Sequence, residues 1–322
     1  MVPATEVEYL EVTLDRGLTF APHIQHALEK AKKAVKALGQ IMPRTCGAGE
    51  GRRRLLATVA TSIVTHAAPV WEKALRRDRN VERLASVQRL MALRVCRAYR
   101  TAGLRAVLAL ARQVPRHLVV TERKLRYEDR REPNPELKRT RKKRSEETLA
   151  RWQTERGRDT GESGWTKRLI PVIGVWQNRK HGQISYHLTQ LMVGHGCFQE
   201  YLCRFKRADS PECLLCTTGA FDTVRHTLED CDFFAQERRR LRDMLGRDFA
   251  LAEMVPTMWG GGGAWAAMDN FVASVIGAKE SLERVRRRNA GEATGESRIL
   301  PPAGADEGNN EDRYRPRPST NR

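Results

Sequence analysis

No apolar run in the 322 residues approaches the roughly 18–20 that a membrane-spanning helix needs. The opening MVPATEVEYLEV has neither the basic block nor the apolar block of a secretory signal. A spanning or secreted chain is therefore not expected. Acidic residues are in deficit, 39 Asp+Glu against 58 Lys+Arg, which leaves a formal net charge of +19. Such an excess points to a polyanionic partner, most often nucleic acid, with a basic surface tuned only for solubility as the alternative. Familiar catalytic signatures are also missing. There is no Walker-type phosphate loop and no G-x-S-x-G elbow. The run Gly260–Gly263 lacks a following Lys-Ser/Thr and reads as a hinge. No adjacent aspartates sit in a strand–turn–strand context that could hold Mg²⁺, and Asp129 and Asp159 lie in basic, polar stretches. No catalytic residue and no small-molecule substrate are expected.

What is present reads as mainly α. A strand over residues 6–13 and a turn at Arg16-Gly17 form a short N-terminal strand region. Ile24, Ala27, Leu28, Ala31, Val35 and Leu38 mark one face of a helix, with Lys30, Lys32, Lys33 and Lys36 opposite. A second helix is predicted from Glu50 to Leu75, with Leu55, Val59, Ile63, Ala67, Val70 and Ala74 inward and Pro69 bending it. A third runs from Asn80 to Tyr99. Thr101 is placed to cap a fourth and Pro115 to open a fifth. Residues 131–164 hold two prolines and the run Lys138, Arg139, Arg141, Lys142, Lys143 and Arg144, with almost no apolar content. They read as an exposed, partly helical basic linker, suited to nuclear import or phosphate contact, or merely solvated. Apolar residues return at Trp165, Leu169, Ile170 and Trp176, followed by a helix over Tyr186–Val193, an arginine-rich helix over 235–246 and a last amphipathic helix through Met268, Phe271, Val275 and Leu282. The expected order is a short strand region (1–20), a helical bundle with one basic side (21–130), the linker (131–164), a small α-rich domain holding most of the cysteines (165–288) and a disordered tail (289–322).

Seven cysteines, five of them within residues 197–231, are an odd and clustered set that argues against a disulfide framework. Cys213, Cys216, His226 and Cys231 spell C-x2-C-x9-H-x4-C. A C-x2-C turn lets two thiolates meet one ion, and an H-x4-C arm brings an imidazole and a third thiolate. Four such ligands close a zinc shell, so the predicted site is structural rather than catalytic. His195, Cys197 and Cys203 are rivals for a ligand place, although His195 reads better as a local hydrogen-bonding residue. Cys46 and Cys96 read as packing residues. Trp165 and Trp176 could stack on bases, but burial is the simpler reading.

Together these residues resemble the region after the polymerase palm in non-LTR (LINE-type) retrotransposon reverse transcriptases. The resemblance is carried by Tyr9-Leu10-x-Val12-x-Leu14-Asp15, Leu18-x-Phe20-x-x-His23-Ile24, Ala68-Pro69-Val70-Trp71, Val87-Gln88-Arg89 and Ala98-Tyr99-Arg100-Thr101. Farther on it is carried by Leu188-Thr189-Gln190, Gly194-His195-Gly196, Phe198, Tyr201-Leu202 and Arg204-Phe205, which lead into the Cys-Cys-His-Cys motif with Asp222-Thr223 ahead of the histidine. It spans most of residues 6–285 and is closest to arthropod elements that insert into ribosomal RNA genes. The sequence departs where the family usually has Gly, at Glu11 and Lys206, and where it has Glu, at Arg225.

The resemblance implies the thumb and zinc region of such an enzyme, without the endonuclease and palm, and hence a segment inactive alone. It implies contacts with template–primer, element RNA or target DNA, made mainly to phosphates. The candidates are Lys30, Lys32, Lys33, Lys36, Arg52, Arg53 and Arg54 on the thumb, the linker run, and Arg204, Lys206, Arg207 and Arg225 beside the knuckle. The implied location is the nucleus. A domesticated zinc-containing nucleic-acid or chromatin binder, or a protein-interaction module, is the alternative.

Overall fold

The structure, a computed structural model, describes residues 6–43, 47–158 and 164–294. Cys46, Asp159 and the tail from residue 295 lie outside the described residues. The architecture is mainly α, preceded by one antiparallel hairpin.

In the hairpin, β1 (Glu6–Tyr9) pairs with β2 (Val12–Asp15), placing Glu6 opposite Asp15 and Tyr9 opposite Val12. The strand expected over residues 6–13 is thus cut in two. Leu10 and Glu11 both take positive φ, 48° and 60°, and make a two-residue turn whose twist suits a hairpin. The turn at Arg16-Gly17 is also formed, closed by the Leu18 N–H on the Asp15 carbonyl at 2.8 Å. The Asp15 carboxylate then accepts the N–H groups of Thr19 and Phe20 at 3.1 and 2.7 Å, which fixes the chain's entry into the first helix.

That helix, α1 (Ala21–Gln40), buries Ile24, Leu28, Ala31 and Val35, with its lysines outward. The next segment departs from expectation. Helix α2 (Glu50–Val64) stops at Thr65, and the chain resumes as α3 (Ala68–Trp71) after Ala67 at φ 47°. Pro69 lies in the first turn of α3, where its missing N–H costs nothing, so it starts a helix instead of bending one. The inward face of α2 is also rotated. Leu55, Val59 and Val70 are exposed, whereas Arg53, Ala57, Ala60 and Val64 are buried. Small alanines let α2 sit close to α1 and to α4 (Asp78–Cys96), and the packed core there is built on Leu84, Val87, Met91 and Val95.

Helix α5 (Leu104–Leu110) starts after Gly103, not at a Thr101 cap, and α6 (Arg116–Arg131) follows Pro115 as expected. Within the stretch expected to be an exposed, partly helical linker, residues 133–143 are exposed, but α7 (Arg141–Arg158) packs on α6 and buries Thr148, Trp152 and Arg156 at four-residue spacing. Then come α8 (Gly164–Leu169), α9 (Ile173–Asn178), α10 (Tyr186–Val193), α11 (Gln199–Arg204), α12 (Ala235–Leu245), α13 (Met254–Trp259) and α14 (Gly262–Thr294). Gly194 and Gly246 end α10 and α12 in the left-handed conformation.

The two helical units expected on either side of a linker share one core. The Trp176 indole donates to the Ala109 carbonyl at 2.9 Å, and the Thr189 hydroxyl to that of Cys96 at 2.5 Å. Arg179 Nη2 donates to both carboxylate oxygens of Glu50, at 3.0 and 2.9 Å, both side chains being almost fully buried. Its guanidinium lies 4.1 Å from the Trp176 ring centroid and 5.2 Å from that of Trp265. None of the helices among the described residues is long and apolar enough to cross a membrane.

Candidate metal centre and basic surfaces

The four Cys/His residues singled out by spacing do converge. One ligand atom each from Cys213, Cys216, His226 and Cys231 lies within 4.8 Å of all the others, so the group could hold a metal ion. Two local structures bring them together. The first is a hairpin-like loop. Glu212 bridges Phe221, the Cys213 N–H donates to the Ala220 carbonyl at 2.8 Å, and Gly219 turns the chain at φ 66°. This presents Cys213 and Cys216 on one side. The second is a single π-helical turn over His226–Asp230, where the Cys231 N–H returns to the His226 carbonyl at 2.8 Å. A ring closed at i+5 is what the H-x4-C spacing requires for both side chains to face one point. The Thr223 hydroxyl accepts the His226 N–H at 3.0 Å and starts the turn.

The donor set and spacing fit tetrahedral zinc. Two thiolates each about 2.3 Å from a tetrahedral ion stand roughly 3.8 Å apart, and a thiolate and an imidazole nitrogen roughly 3.5 Å. The Cys213 and Cys231 sulfurs are 3.9 Å apart, and the Cys216 sulfur lies 3.4 Å from His226 Nε2. The Thr218 hydroxyl, 3.1 Å from the Cys216 sulfur, is the main influence drawing that thiol below its usual range. Burial pushes the Cys231 thiol up to about 12. A divalent cation reverses that preference, because only the thiolate binds it.

Asp222 anchors the group and was noted in the sequence only for its position. Its carboxylate is 2% exposed and accepts from the Gln199 N–H, the Thr227 hydroxyl and the Lys279 ammonium. The knuckle is thereby tied to the N-terminus of α11 and to the middle of α14. Lys279 gave no sequence signal beyond its place on an amphipathic helix.

The rivals for a ligand place stand elsewhere. His195 stacks on Tyr201 at 4.5 Å, and its Nδ1 is 3.2 Å from the Thr101 hydroxyl, the local hydrogen-bonding role expected for it. Burial, with the Arg204 charge second, lowers its pKa to about 4, so it is neutral at pH 7. Cys197 packs toward the Ile276 carbonyl. The Trp176 side chain is buried, and the partly buried Trp165 donates to the Leu191 carbonyl at 2.9 Å.

The basic candidates divide into two groups. Lys30, Lys32, Lys33, Lys36, Arg52, Lys138, Arg139, Arg141, Lys142, Lys143, Arg204, Lys206, Arg207 and Arg225 are exposed, and Arg54 is half-buried. Arg53 is fully buried and must be withdrawn as a phosphate contact. Its guanidinium donates to the carbonyls of Ala48, Met42, Pro43 and Arg94, which tie the ends of α1 and α4 to α2. Arg144 is similarly committed, forking onto both Asp129 oxygens at 2.8 Å and reaching Glu147 at 2.9 Å. The exposed cations are spread over α1, α2, the segment around the start of α7, and the borders of the knuckle.

The relatives of this chain are arthropod retrotransposon proteins. It is 26% identical over 253 residues, 74% of its length and 24% of the relative's, to the 115 kDa protein in type-1 retrotransposable element R1DM of Drosophila melanogaster. It is 23% identical to a retrovirus-related Pol polyprotein from type-1 retrotransposable element R1 4 of Nasonia vitripennis, covering 86% of this chain and 73% of that protein. It is also 23% identical to the corresponding R1 polyprotein of Bradysia coprophila, covering 88% of this chain and 29% of that one. The chain therefore spans about a quarter of the fly protein and under a third of the Bradysia one. No family model and no solved structure matches it.

Proposed function

We propose that this homologue of R1 type-1 retrotransposon polyproteins is the nucleic-acid-binding C-terminal portion of such an element's RNA-directed DNA polymerase, folded around one structural zinc. The observation that carries the reading is the Cys213/Cys216/His226/Cys231 group, whose ligand atoms all lie within 4.8 Å of one another and which is bordered by the exposed cations Arg204, Lys206, Arg207 and Arg225. Zinc, when bound, supplies structural cross-linking, because four protein ligands leave no open position for a substrate.

The residues around the site do the rest. Asp222 and Lys279 hold the knuckle on the helical body, so that the bordering arginines project from a fixed base. The lysine face of α1 and the basic segment opening α7 extend the positive surface. Arginine and lysine on phosphates release counterions and give affinity without reading sequence. No catalytic step is assigned to the chain. The nucleus is the proposed location, the basic run at residues 138–143 serving for import.

The test is a salt titration of the full chain with a labelled oligoribonucleotide and a duplex DNA of the same length. Binding that weakens linearly in log–log form as salt rises supports the reading. Absence of binding at low salt, or binding without a salt slope, overturns it.

A further inference from the structure

A second basic feature lies away from the knuckle and among none of the candidates above. An open cleft of about 390 Å³ sits where the N-terminal ends of α1 and α4 meet the hairpin. Arg77, Arg79 and Arg83 line one wall, and Gln25 and His26 of α1 the other. The Thr13 hydroxyl holds His26 Nδ1 at 3.2 Å. Asn80, 4% exposed, fixes the arginine wall by donating to the Ala74 carbonyl at 2.9 Å.

We propose that this cleft grips a phosphodiester of the bound nucleic acid through Arg77, Arg79 and Arg83. The proposal rests on the nucleic-acid reading above and adds a site to it.

These cations gain nothing from the folded chain itself. Arg77 is the N-cap of a 19-residue helix and Arg79 stands in its first turn, where the helix dipole disfavours positive charge. Arg79 and Arg83 are four residues apart, which sets like charges side by side. The nearest acids along the chain are Asp78 and Glu82, and Glu6 stands on the wall. Among the described residues, no ion pair joins any of these acids to the three guanidinium groups. Arg77 and Arg79 are exposed and Arg83 is half-buried, so none of them packs a core. Three unpaired arginines around an open cleft at a helix N-terminus suit an anion with several acceptor oxygens. A phosphodiester strand, extended enough to reach the lysine face of the same α1, is the anion that fits a chain of this net charge.

The experiment compares the full chain with R77Q/R79Q/R83Q and with R77K/R79K/R83K. Binding of a labelled oligoribonucleotide is measured across a salt series, and thermal midpoints are measured without nucleic acid. The glutamine variant should lose roughly two units of salt slope, about 0.7 for each single-strand phosphate contact. The lysine variant should keep nearly all of it. The glutamine variant's midpoint should hold or rise, since it removes repulsion. If the wild-type chain binds with a salt slope that the glutamine variant fully retains, the cleft proposal is wrong and the broader reading stands. If the wild-type chain shows no salt-dependent binding, both fall. A midpoint lowered in the glutamine variant would show that the arginines are structural and would also overturn the proposal.

Discussion

Lys279, in the middle of the last helix, sets its ammonium on the carboxylate of Asp222, four residues ahead of the histidine of the metal group. Both side chains are buried, 4% and 2% exposed. The pair joins two segments far apart in sequence, and the Thr227 hydroxyl bonds to both partners at 2.9 and 3.2 Å. Removing one partner strands a buried charge, which typically costs about 3–5 kcal/mol. Lys279→Ala should therefore lose about that much in urea unfolding and release its metal to a chelator faster than the wild type. The double change Lys279→Met with Asp222→Asn should cost less than Lys279→Ala alone. Equal losses would mean that the ion pair does not set the cost.

Glu11 and Lys206 share an unfavourable backbone state. Their φ values are 60° and 55°, in the left-handed region that glycine enters freely. Glycine is the residue that the family resemblance places at both positions. Glu11→Gly and Lys206→Gly should each stabilise the fold by about 0.5–1 kcal/mol, read from urea midpoints. The exposed ion pair lost between Glu11 and Lys30, 3.7 Å apart, is too weak to reverse the gain. Substitution by Ala at either site should give no such gain. If Ala stabilises as well as Gly, backbone strain is not the cause.

Asp129 carries a pH signature. The Arg144 guanidinium forked on its carboxylate, opposed by burial, holds its pKa below the usual carboxylate range. A carboxyl whose folded value is depressed stabilises the fold above its unfolded value and loses that contribution as the pH falls through the folded value. The Asp129 contribution should thus be complete above about pH 5 and fade below about pH 4. Asp129→Asn should cost about 1.5–3 kcal/mol at pH 7 and less at pH 3. Denaturation curves at the two pH values provide the check, and an unchanged difference between variant and wild type would contradict it.

Much of the fold was legible because apolar spacing reports burial directly, as in α1 through Ile24, Leu28, Ala31 and Val35. It failed where a polar group did the packing. Arg53 looks like a surface cation in the run Arg52-Arg53-Arg54, yet it is buried because four carbonyls receive it. That pattern is invisible to hydropathy and rotated the predicted face of α2. The helix over Arg141–Arg158 was hidden for a similar reason. Its buried stripe is only Thr148, Trp152 and Arg156, sparse among charges. The metal group was readable because its chemistry is local, with a C-x2-C loop and an i+5 turn each fixed within a few residues. Its anchor was not, because Lys279 arrives from 57 residues beyond Asp222.

The most direct test of the account is elemental analysis of the full chain, purified without chelator, alongside Cys213→Ser/Cys231→Ser. One zinc per wild-type chain is expected and none firmly held by the variant, with salt-dependent RNA binding weakened in the variant. A wild-type chain that is folded, free of zinc and unable to take it up would contradict a zinc-centred fold.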